Sequence, residues 1–153
     1  MTNSIETETD DFTAVLHLQA SPAVVAELFT SPAGVSRWWG PTEGDGSVGG
    51  TLTTSFGEYG VNTMRVLEAG PNRVVWESTV PAGATATGHT KEWLGTTMEF
   101  DVLADGTGTE LRFRHAGLTP QLECFDACAD AWTQFMSSIE AYASTGTGTP
   151  FGA

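Results

Sequence analysis

Two cysteines and a histidine are the residues of this sequence with the most distinctive chemistry. Cys124 and Cys128 are four residues apart, so a helix would place both on one side. With His115 they could form part of a soft-metal site, but zinc takes four ligands and no fourth is evident. Packing of two small apolar side chains is one alternative, and a redox-sensing pair is another. In the redox alternative, Cys124 would be the more reactive thiol because it lies nearer the helix start.

The missing fourth ligand leads us to expect no bound metal, and nothing else in the sequence indicates a cofactor. Protein purified without a chelator should therefore contain no stoichiometric zinc. Elemental analysis is the measurement. A zinc content of about one ion per chain that is lost in Cys128→Ser would contradict the expectation.

Catalytic motifs give no positive support for an enzyme. The sequence contains no nucleophile–base motif, no glycine-rich loop that opens a helix and no P-loop. The carboxylates of Glu99 and Asp101 alternate onto the outward face of a predicted strand, where solvent would surround them. We therefore name no catalytic residue and favour a binding protein over an enzyme.

Charge excludes two classes of partner. The chain has 153 residues and a formal net charge of -13, from 6 Lys+Arg and 19 Asp+Glu. Such an acidic protein repels phosphate backbones and anionic membrane surfaces, so we expect neither nucleic acid nor membrane as a partner.

No apolar run approaches the ~20 residues of a membrane span. The start, MTNSIETETDD, has no signal-peptide pattern, so we expect a cytoplasmic location.

The elements that would hold these residues can be predicted from periodicity and turn signals. A strand over 11–19 is followed by two short helices, each opened by a Ser-Pro pair. Glycine-punctuated strands follow as successive hairpins, with a predicted loop at 81–91 and a strand at 92–103. A long helix covers about 120–143. We predict one domain, residues 11–145, between a disordered tail (1–10) and a flexible tail (146–153).

The apolar faces of these strands need a cover. Alternation places several large apolar side chains on one face of the sheet: Met64, Val66, Val74, Trp76, Met98, Phe100, Val102, Leu111 and Phe113. The last helix has a matching apolar stripe with three- and four-residue spacing, from Leu122 to Ile139. We therefore predict that this helix packs on the sheet, with Trp132 buried at the centre of the contact.

Several segments resemble a known family. They are SPAVVAELFTSPAGVSRWW, VGGTL, RVLEAGPNRVVWE, TTMEFDVLADGTGTELRFRHAGL and ADAWTQFMSSIEAY. Together they resemble homologues of the activator of heat-shock protein 90 ATPase, in the SRPBCC superfamily of START lipid-transfer domains, birch-pollen-allergen-like proteins and polyketide cyclases. KEWLGT and ECFDACADAW look like a bacterial subgroup. The resemblance implies an α+β helix-grip fold, in which a curved antiparallel sheet of about seven strands surrounds a long C-terminal helix.

The resemblance also implies an apolar cavity between sheet and helix. Our leading hypothesis is non-catalytic binding of an aromatic, polyketide-like or lipid molecule there. The expected ligand-binding residues are Trp38, Met64, Trp76, Phe100, Phe113, His115, Cys128 and Trp132. A chaperone-modulating interaction protein and a small cyclase-type enzyme are the alternatives. The eukaryotic chaperone activator has a second, chaperone-binding domain, which we do not find in this sequence, and we expect a monomer or weak dimer.

His115 allows two interpretations. It follows Leu111 and Phe113 on the inward face of its strand. It could be a buried neutral imidazole held by hydrogen bonds within the protein. Alternatively, it could offer a polar contact to a carbonyl or hydroxyl group of the ligand.

Overall fold

The computed structural model describes the backbone of residues 10–80 and 88–152, and the side chains of the same residues except 88–90. Two predicted features lie largely outside the described residues. They are the disordered N-terminal tail, of which Asp10 is described, and the part of the predicted loop from 81 to 87.

Within the described residues, one sheet of seven antiparallel strands forms the framework, in the order β1-β7-β6-β5-β4-β3-β2. The strands are β1 (Phe12–Leu18), β2 (Thr42–Gly44), β3 (Thr51–Ser55), β4 (Val61–Ala69), β5 (Arg73–Thr79), β6 (Thr97–Asp105) and β7 (Gly108–Ala116). From β2 to β7, each strand pairs with the next along the chain, and β1 closes the far edge by pairing with β7. The predicted hairpin order is confirmed.

Four α-helices and one 3₁₀ turn complete the described part of the chain. They are α1 (Pro22–Thr30), α2 (Pro32–Ser36), the turn Gly57–Tyr59, α3 (Gly88–Trp93) and α4 (Phe125–Thr145). Both Ser-Pro signals begin helices as predicted. The Ser21 hydroxyl accepts a hydrogen bond from the Val24 N–H, and the Ser31 hydroxyl accepts one from the Gly34 N–H. The arrangement is the α+β helix-grip fold that the sequence predicts.

The long helix begins later than predicted. Residues before Phe125 form tight turns, in which the Leu122 N–H donates to the Thr119 carbonyl and the Phe125 N–H donates to the Leu122 carbonyl. Cys124 occupies the N-cap position, and its side chain makes no capping hydrogen bond. From Phe125 the helix runs without a break to Thr145, where Gly146 ends it in the left-handed conformation.

The segment before β6 also differs from the prediction. Residues 88–93 form the short helix α3 instead of the end of a loop, and β6 begins at Thr97 instead of residue 92. Gly95 has a φ of 85°, which allows the sharp turn between the two elements. The Gly95 N–H donates to the Ser78 carbonyl, and this bond ties the turn to β5. As a result, Trp93 leaves the sheet and belongs to α3.

The two faces of the sheet have opposite character. The predicted inward side chains, from Met64 to Phe113, are at most 2% exposed. The outer face carries ion pairs, in which Arg73 Nη1 lies 2.6 Å from Asp101 and Arg114 Nη2 lies 2.5 Å from Asp11. Because one face is apolar and the other charged, the sheet can be covered on one side only.

Helix α4 supplies that cover. Trp132, at its centre, is 1% exposed, as predicted, and its ring lies 4.4 Å from that of Phe113 on β7. All five tryptophans of the chain join the same buried region, namely Trp38, Trp39, Trp76, Trp93 and Trp132. Among the described residues, no helix combines the length and apolar character needed to cross a membrane.

Candidate functional site

The eight side chains expected to bind a ligand lie in the interior. Seven of them are at most 2% exposed, and Cys128 is 7% exposed. The seven are Trp38, Met64, Trp76, Phe100, Phe113, His115 and Trp132. These positions come from six different elements or loops, so the fold brings together residues that are distant in the sequence.

The aromatic members of this set pack directly on one another. The rings of Trp76 and Phe100 are 4.8 Å apart between centroids, and those of Phe113 and Trp132 are 4.4 Å apart. Trp38 stacks on Trp76 at 6.4 Å, with only 8° between the ring planes. Such distances are those of contacting aromatic pairs. These rings therefore contribute to the stability of the core, and their contact with a ligand stays a prediction.

His115 is held by a chain of hydrogen bonds. The Trp132 indole N–H donates to His115 Nδ1 over 3.0 Å, so Nδ1 is the unprotonated nitrogen. The other nitrogen, Nε2, then carries the proton and donates to the Thr96 hydroxyl, 2.8 Å away. That hydroxyl in turn donates to the Trp93 carbonyl over 2.5 Å. Burial lowers the pKa of His115 to about 3. The imidazole is thus neutral and has both nitrogens occupied, which matches the first of its two interpretations.

An open pocket of about 590 Å³ lies beside this core. Its described lining is mainly aromatic side chains and small residues: Trp39, Phe56, Tyr59, Asn62, Trp93, Cys124, Ala127, Cys128, Asp130, Ala131, Gln134, Phe135 and Phe151. Cys128 is the member of the predicted set that belongs to this described lining. We refer to this space as the open pocket.

One face of α4 forms a wall of the open pocket. The small side chains of Ala127 and Ala131 lie one turn apart, and Phe135 continues the same face one turn later. Small residues on this face leave room between the helix and the 3₁₀ turn that carries Tyr59. Trp39 is the least exposed of the described lining residues, at 1%.

The C-terminal segment contributes to the open pocket as well. The Phe151 N–H donates to the Trp39 carbonyl over 3.0 Å, and the Thr149 N–H donates to the Ser138 hydroxyl over 2.8 Å. The Phe151 ring lies 5.7 Å from that of Phe56 and 6.1 Å from that of Tyr59. The flexibility predicted for residues 146–153 stays a prediction, and hydrogen exchange would test it.

The two cysteines form the opposite end of the α4 wall. The Trp93 indole N–H donates to Cys128 Sγ over 3.3 Å, and the Cys128 thiol donates to Cys124 Sγ over 2.7 Å. Burial is the main cause that raises the pKa of Cys128 to about 12, and the hydrogen bond to Cys124 acts in the same direction. This thiol therefore stays protonated at neutral pH. The Cys124 N–H donates to a Glu92 carboxylate oxygen over 3.0 Å. The pair is therefore close, hydrogen-bonded and part of the pocket wall.

Metal ligation is not the chemistry that this arrangement favours. Both nitrogens of His115 are engaged by Trp132 and Thr96, so His115 is not available to the cysteines. Among the described residues, one group of three possible ligands lies close together: His17, Asp105 and Glu110. His17 and Asp105 are exposed and form a surface ion pair of 3.4 Å, and acidic surface groups of this kind are common without a metal.

A family model matches most of the chain. The model of the family "Activator of Hsp90 ATPase homolog 1-like protein" matches residues 19–144, from the end of β1 to the last turn of α4. The chain belongs to this family. The match spans every element that forms the open pocket except the segment with Phe151.

Solved structures resemble this AHSA1-like chain in fold. The Aha1 dimer from Colwellia psychrerythraea is 23% identical, with a TM-score of 0.76, and the match covers 90% of this chain and 98% of that one. CalU16 from Micromonospora echinospora is 17% identical, with a TM-score of 0.66 and coverages of 89% and 77%. DynU16, a putative protein in the dynemicin biosynthetic locus, is 17% identical, with a TM-score of 0.70 and coverages of 91% and 49%. No curated protein sequence matches the chain.

Two tryptophans of the AHSA1-like pocket were not in the predicted set. Trp38 is the predicted member of the Trp38–Trp39 pair, whereas the structure places Trp39 in the pocket lining. Trp93 was assigned to a strand, whereas it lies on α3 with its indole at Cys128. A signal for Trp93 was present, because Gly95 follows it closely and a glycine is a frequent sign of a turn.

Proposed function

We propose that the protein binds a hydrophobic small molecule, aromatic, polyketide-like or lipid, in the open pocket and does not transform it. The observation that carries this proposal is a space of about 590 Å³ with aromatic walls beside a packed core. Pockets for small molecules measure roughly 300–1,000 Å³ and are lined mainly by apolar and aromatic side chains. A fold of this family is one that supports ligand binding, and the open pocket is where we place the ligand.

The polar groups of the open pocket narrow the class of ligand. Asn62 is 2% exposed, while Asp130 and Gln134 lie at the exposed rim. The carboxylate of Asp130 and the net charge of -13 both disfavour an anionic ligand. We therefore favour a neutral or cationic molecule with a large apolar part, and a lipid ligand would be uncharged or carry its head group outside the pocket.

The expected affinity is moderate. Burial of about 250 Å² of apolar ligand surface contributes roughly 6 kcal/mol at about 25 cal/mol per Å². Loss of translational and rotational freedom opposes binding by several kcal/mol. A dissociation constant of 1 μM corresponds to about -8 kcal/mol, which is more than this apolar burial supplies, so we expect binding weaker than micromolar.

The proposal is tested by filling the open pocket. Ala127 is exposed on α4 and lines the pocket, so Ala127→Phe should occupy the space without disturbing the core. We expect ligands found by screening flavonoid-like, polyketide-like and lipid molecules to bind this variant at least tenfold more weakly than wild type. Isothermal titration calorimetry measures the affinity, and a ligand-induced rise in melting temperature gives a second readout.

A matched control is available on the same helix. Ser137 is exposed and is not among the described lining residues, so Ser137→Phe adds the same side chain outside the pocket. This control should bind ligand as wild type does. Equal affinity of the wild-type and Ala127→Phe proteins would place the site elsewhere. If no ligand of the panel bound wild type with a dissociation constant below about 100 μM, the proposal would lose its basis.

The family assignment favours a second candidate function. The family is described by the activation of an Hsp90 ATPase, so we propose a chaperone-modulating interaction as the alternative. Addition of the purified protein to a bacterial Hsp90 should then raise its ATPase rate. If the ATPase rate stayed unchanged with the protein in excess of the chaperone, ligand binding would remain as the proposed function.

Oligomeric state is a related proposal. The neighbour from Colwellia psychrerythraea is a dimer, and we propose that this chain is a monomer or a weak dimer. Sedimentation velocity over a range of concentrations would distinguish the two states. A tight dimer at the lowest concentrations would contradict the proposal.

A further inference from the structure

Cys124 and Cys128 are arranged as a reactive pair. Their sulfur atoms are 2.7 Å apart, with the Cys128 thiol directed at Cys124 Sγ. Cys124 is half-buried, and both residues line the open pocket. Geometry and access together point to chemistry at this pair that packing alone does not require.

The backbone geometry permits a bond between the two sulfurs. The Cys128 N–H donates to the Cys124 carbonyl over 2.7 Å, so the two residues are separated by one helical turn. Residues one turn apart in an α-helix have Cα atoms about 6.2 Å apart. This separation lies within the usual Cα–Cα range of disulfides, roughly 4.4–6.8 Å. The Cβ atoms of helix residues at this spacing are about 5–6 Å apart, wider than the roughly 3.5–4.5 Å of a disulfide. Closure of the disulfide therefore requires a local movement, which Cys124 can make because it is the N-cap residue at the end of α4.

We propose that Cys124 and Cys128 form a dithiol site that a hydroperoxide oxidises to an intramolecular disulfide in the wall of the open pocket. The Cys124 sulfur attacks the terminal peroxide oxygen, and the O–O bond breaks. Cys124 becomes a sulfenic acid, and its former thiol proton leaves with the alkoxide as an alcohol. The Cys128 sulfur then attacks the Cys124 sulfur and displaces hydroxide, which takes the Cys128 proton and leaves as water. Two thiols and one hydroperoxide thus give one disulfide, one alcohol and one water.

The surroundings assign different roles to the two cysteines. Cys124 lies at the N-cap of α4 and is the more exposed of the two cysteines, so it is placed to meet the hydroperoxide first. Cys128 is more buried and its thiol already points at Cys124, so it is placed to resolve the sulfenic acid.

The pocket suggests an organic hydroperoxide as the probe. Cumene hydroperoxide has an apolar ring that suits the aromatic walls of the open pocket. The full-length folded protein is treated with this reagent, and its mass and free thiols are followed over time. We expect wild type to lose two hydrogen atoms in mass and both free thiols, and to recover them on treatment with dithiothreitol.

Single cysteine variants separate the two roles. Cys128→Ser should gain oxygen at Cys124 instead of losing hydrogen, because the resolving thiol is absent. Cys124→Ser should react at least tenfold more slowly than Cys128→Ser, because the attacking thiol is absent. Thermal melts of both variants verify that each remains folded.

An independent measurement uses phenylarsine oxide, which binds two neighbouring thiols at once. Wild type should bind one equivalent, and the oxidised wild type and both single variants should not. A wild type that keeps both thiols while its unfolded form is oxidised would overturn the proposal, as would disulfides that link two chains. The proposal does not depend on the proposed ligand, since none of these measurements includes one.

Discussion

Trp132→Ala should lower the free energy of unfolding by about 3–5 kcal/mol, as large aromatic-to-alanine changes in cores do. Trp132 is 1% exposed and contacts the rings of Phe113 and Trp93 at 4.4 Å and 5.8 Å. The change removes these contacts and leaves a cavity. It also removes the indole N–H that donates to His115 Nδ1, so a buried acceptor loses its partner. Both losses lower the free energy of unfolding.

Denaturant unfolding measures this loss of stability. A second variant at the same position separates the loss of the ring from the loss of the indole N–H, and a third variant is a control. Trp132→Phe keeps an aromatic ring but loses the indole N–H, so it should cost less than Trp132→Ala but more than about 1 kcal/mol. Val48→Ala is the control, since Val48 is 65% exposed and its loss should change stability by about 0.5 kcal/mol or less. A stability of Trp132→Ala within 1 kcal/mol of wild type would contradict the central place of this residue in the core.

Acid should destabilise the fold through His115. The pKa of His115 is about 3 in the folded protein, against an ordinary value of 6.5. Below about pH 6.5 the unfolded chain therefore binds a proton that the folded protein does not, and folding stability falls as the pH falls. The loss from this group is about 2 kcal/mol between pH 7 and pH 5. It continues toward about 5 kcal/mol as the pH approaches the folded pKa.

The variant His115→Gln isolates this contribution. Glutamine is polar and does not titrate, so the pH slope that belongs to His115 should disappear while the slopes of the carboxylates remain. Denaturant unfolding at several pH values from 7 to 5 compares the two proteins. If wild type and His115→Gln lost the same stability between pH 7 and pH 5, the buried neutral state of His115 would be refuted.

The alternation of side chains was enough to predict the interior of the sheet. Met64, Trp76, Phe100 and Phe113 lie on the inner face because successive residues of a strand point to opposite sides. The apolar stripe of α4 predicted its cover in the same way, and Trp132 is buried at the contact. These features depend on local periodicity, which one sequence contains in full.

The boundary between core and open pocket was not predictable by the same argument. Trp38 and Trp39 are adjacent and equally apolar, yet Trp39 lines the pocket while Trp38 lies among the core rings. Trp39 also contacts the rings of Phe56 and Phe135, which are distant in sequence, so the difference is a long-range property. The position of Trp93 depends on the turn at Gly95, which moves it from the expected strand to α3. The start of α4 was misplaced because Pro120 is also compatible with the turns that precede Phe125.

The single buried region that holds all five tryptophans has an optical consequence. Trp39 stacks on Trp132 with 15° between their planes, and Trp93 stacks on Trp132 with 7°. Indoles so close and so nearly parallel couple their electronic transitions and exchange excitation energy. The fluorescence emission of this protein therefore comes from the coupled tryptophans as a group and cannot be assigned to one residue. Near-ultraviolet circular dichroism should be intense and should vanish with tertiary packing, so it gives a direct spectroscopic record of whether the core is intact.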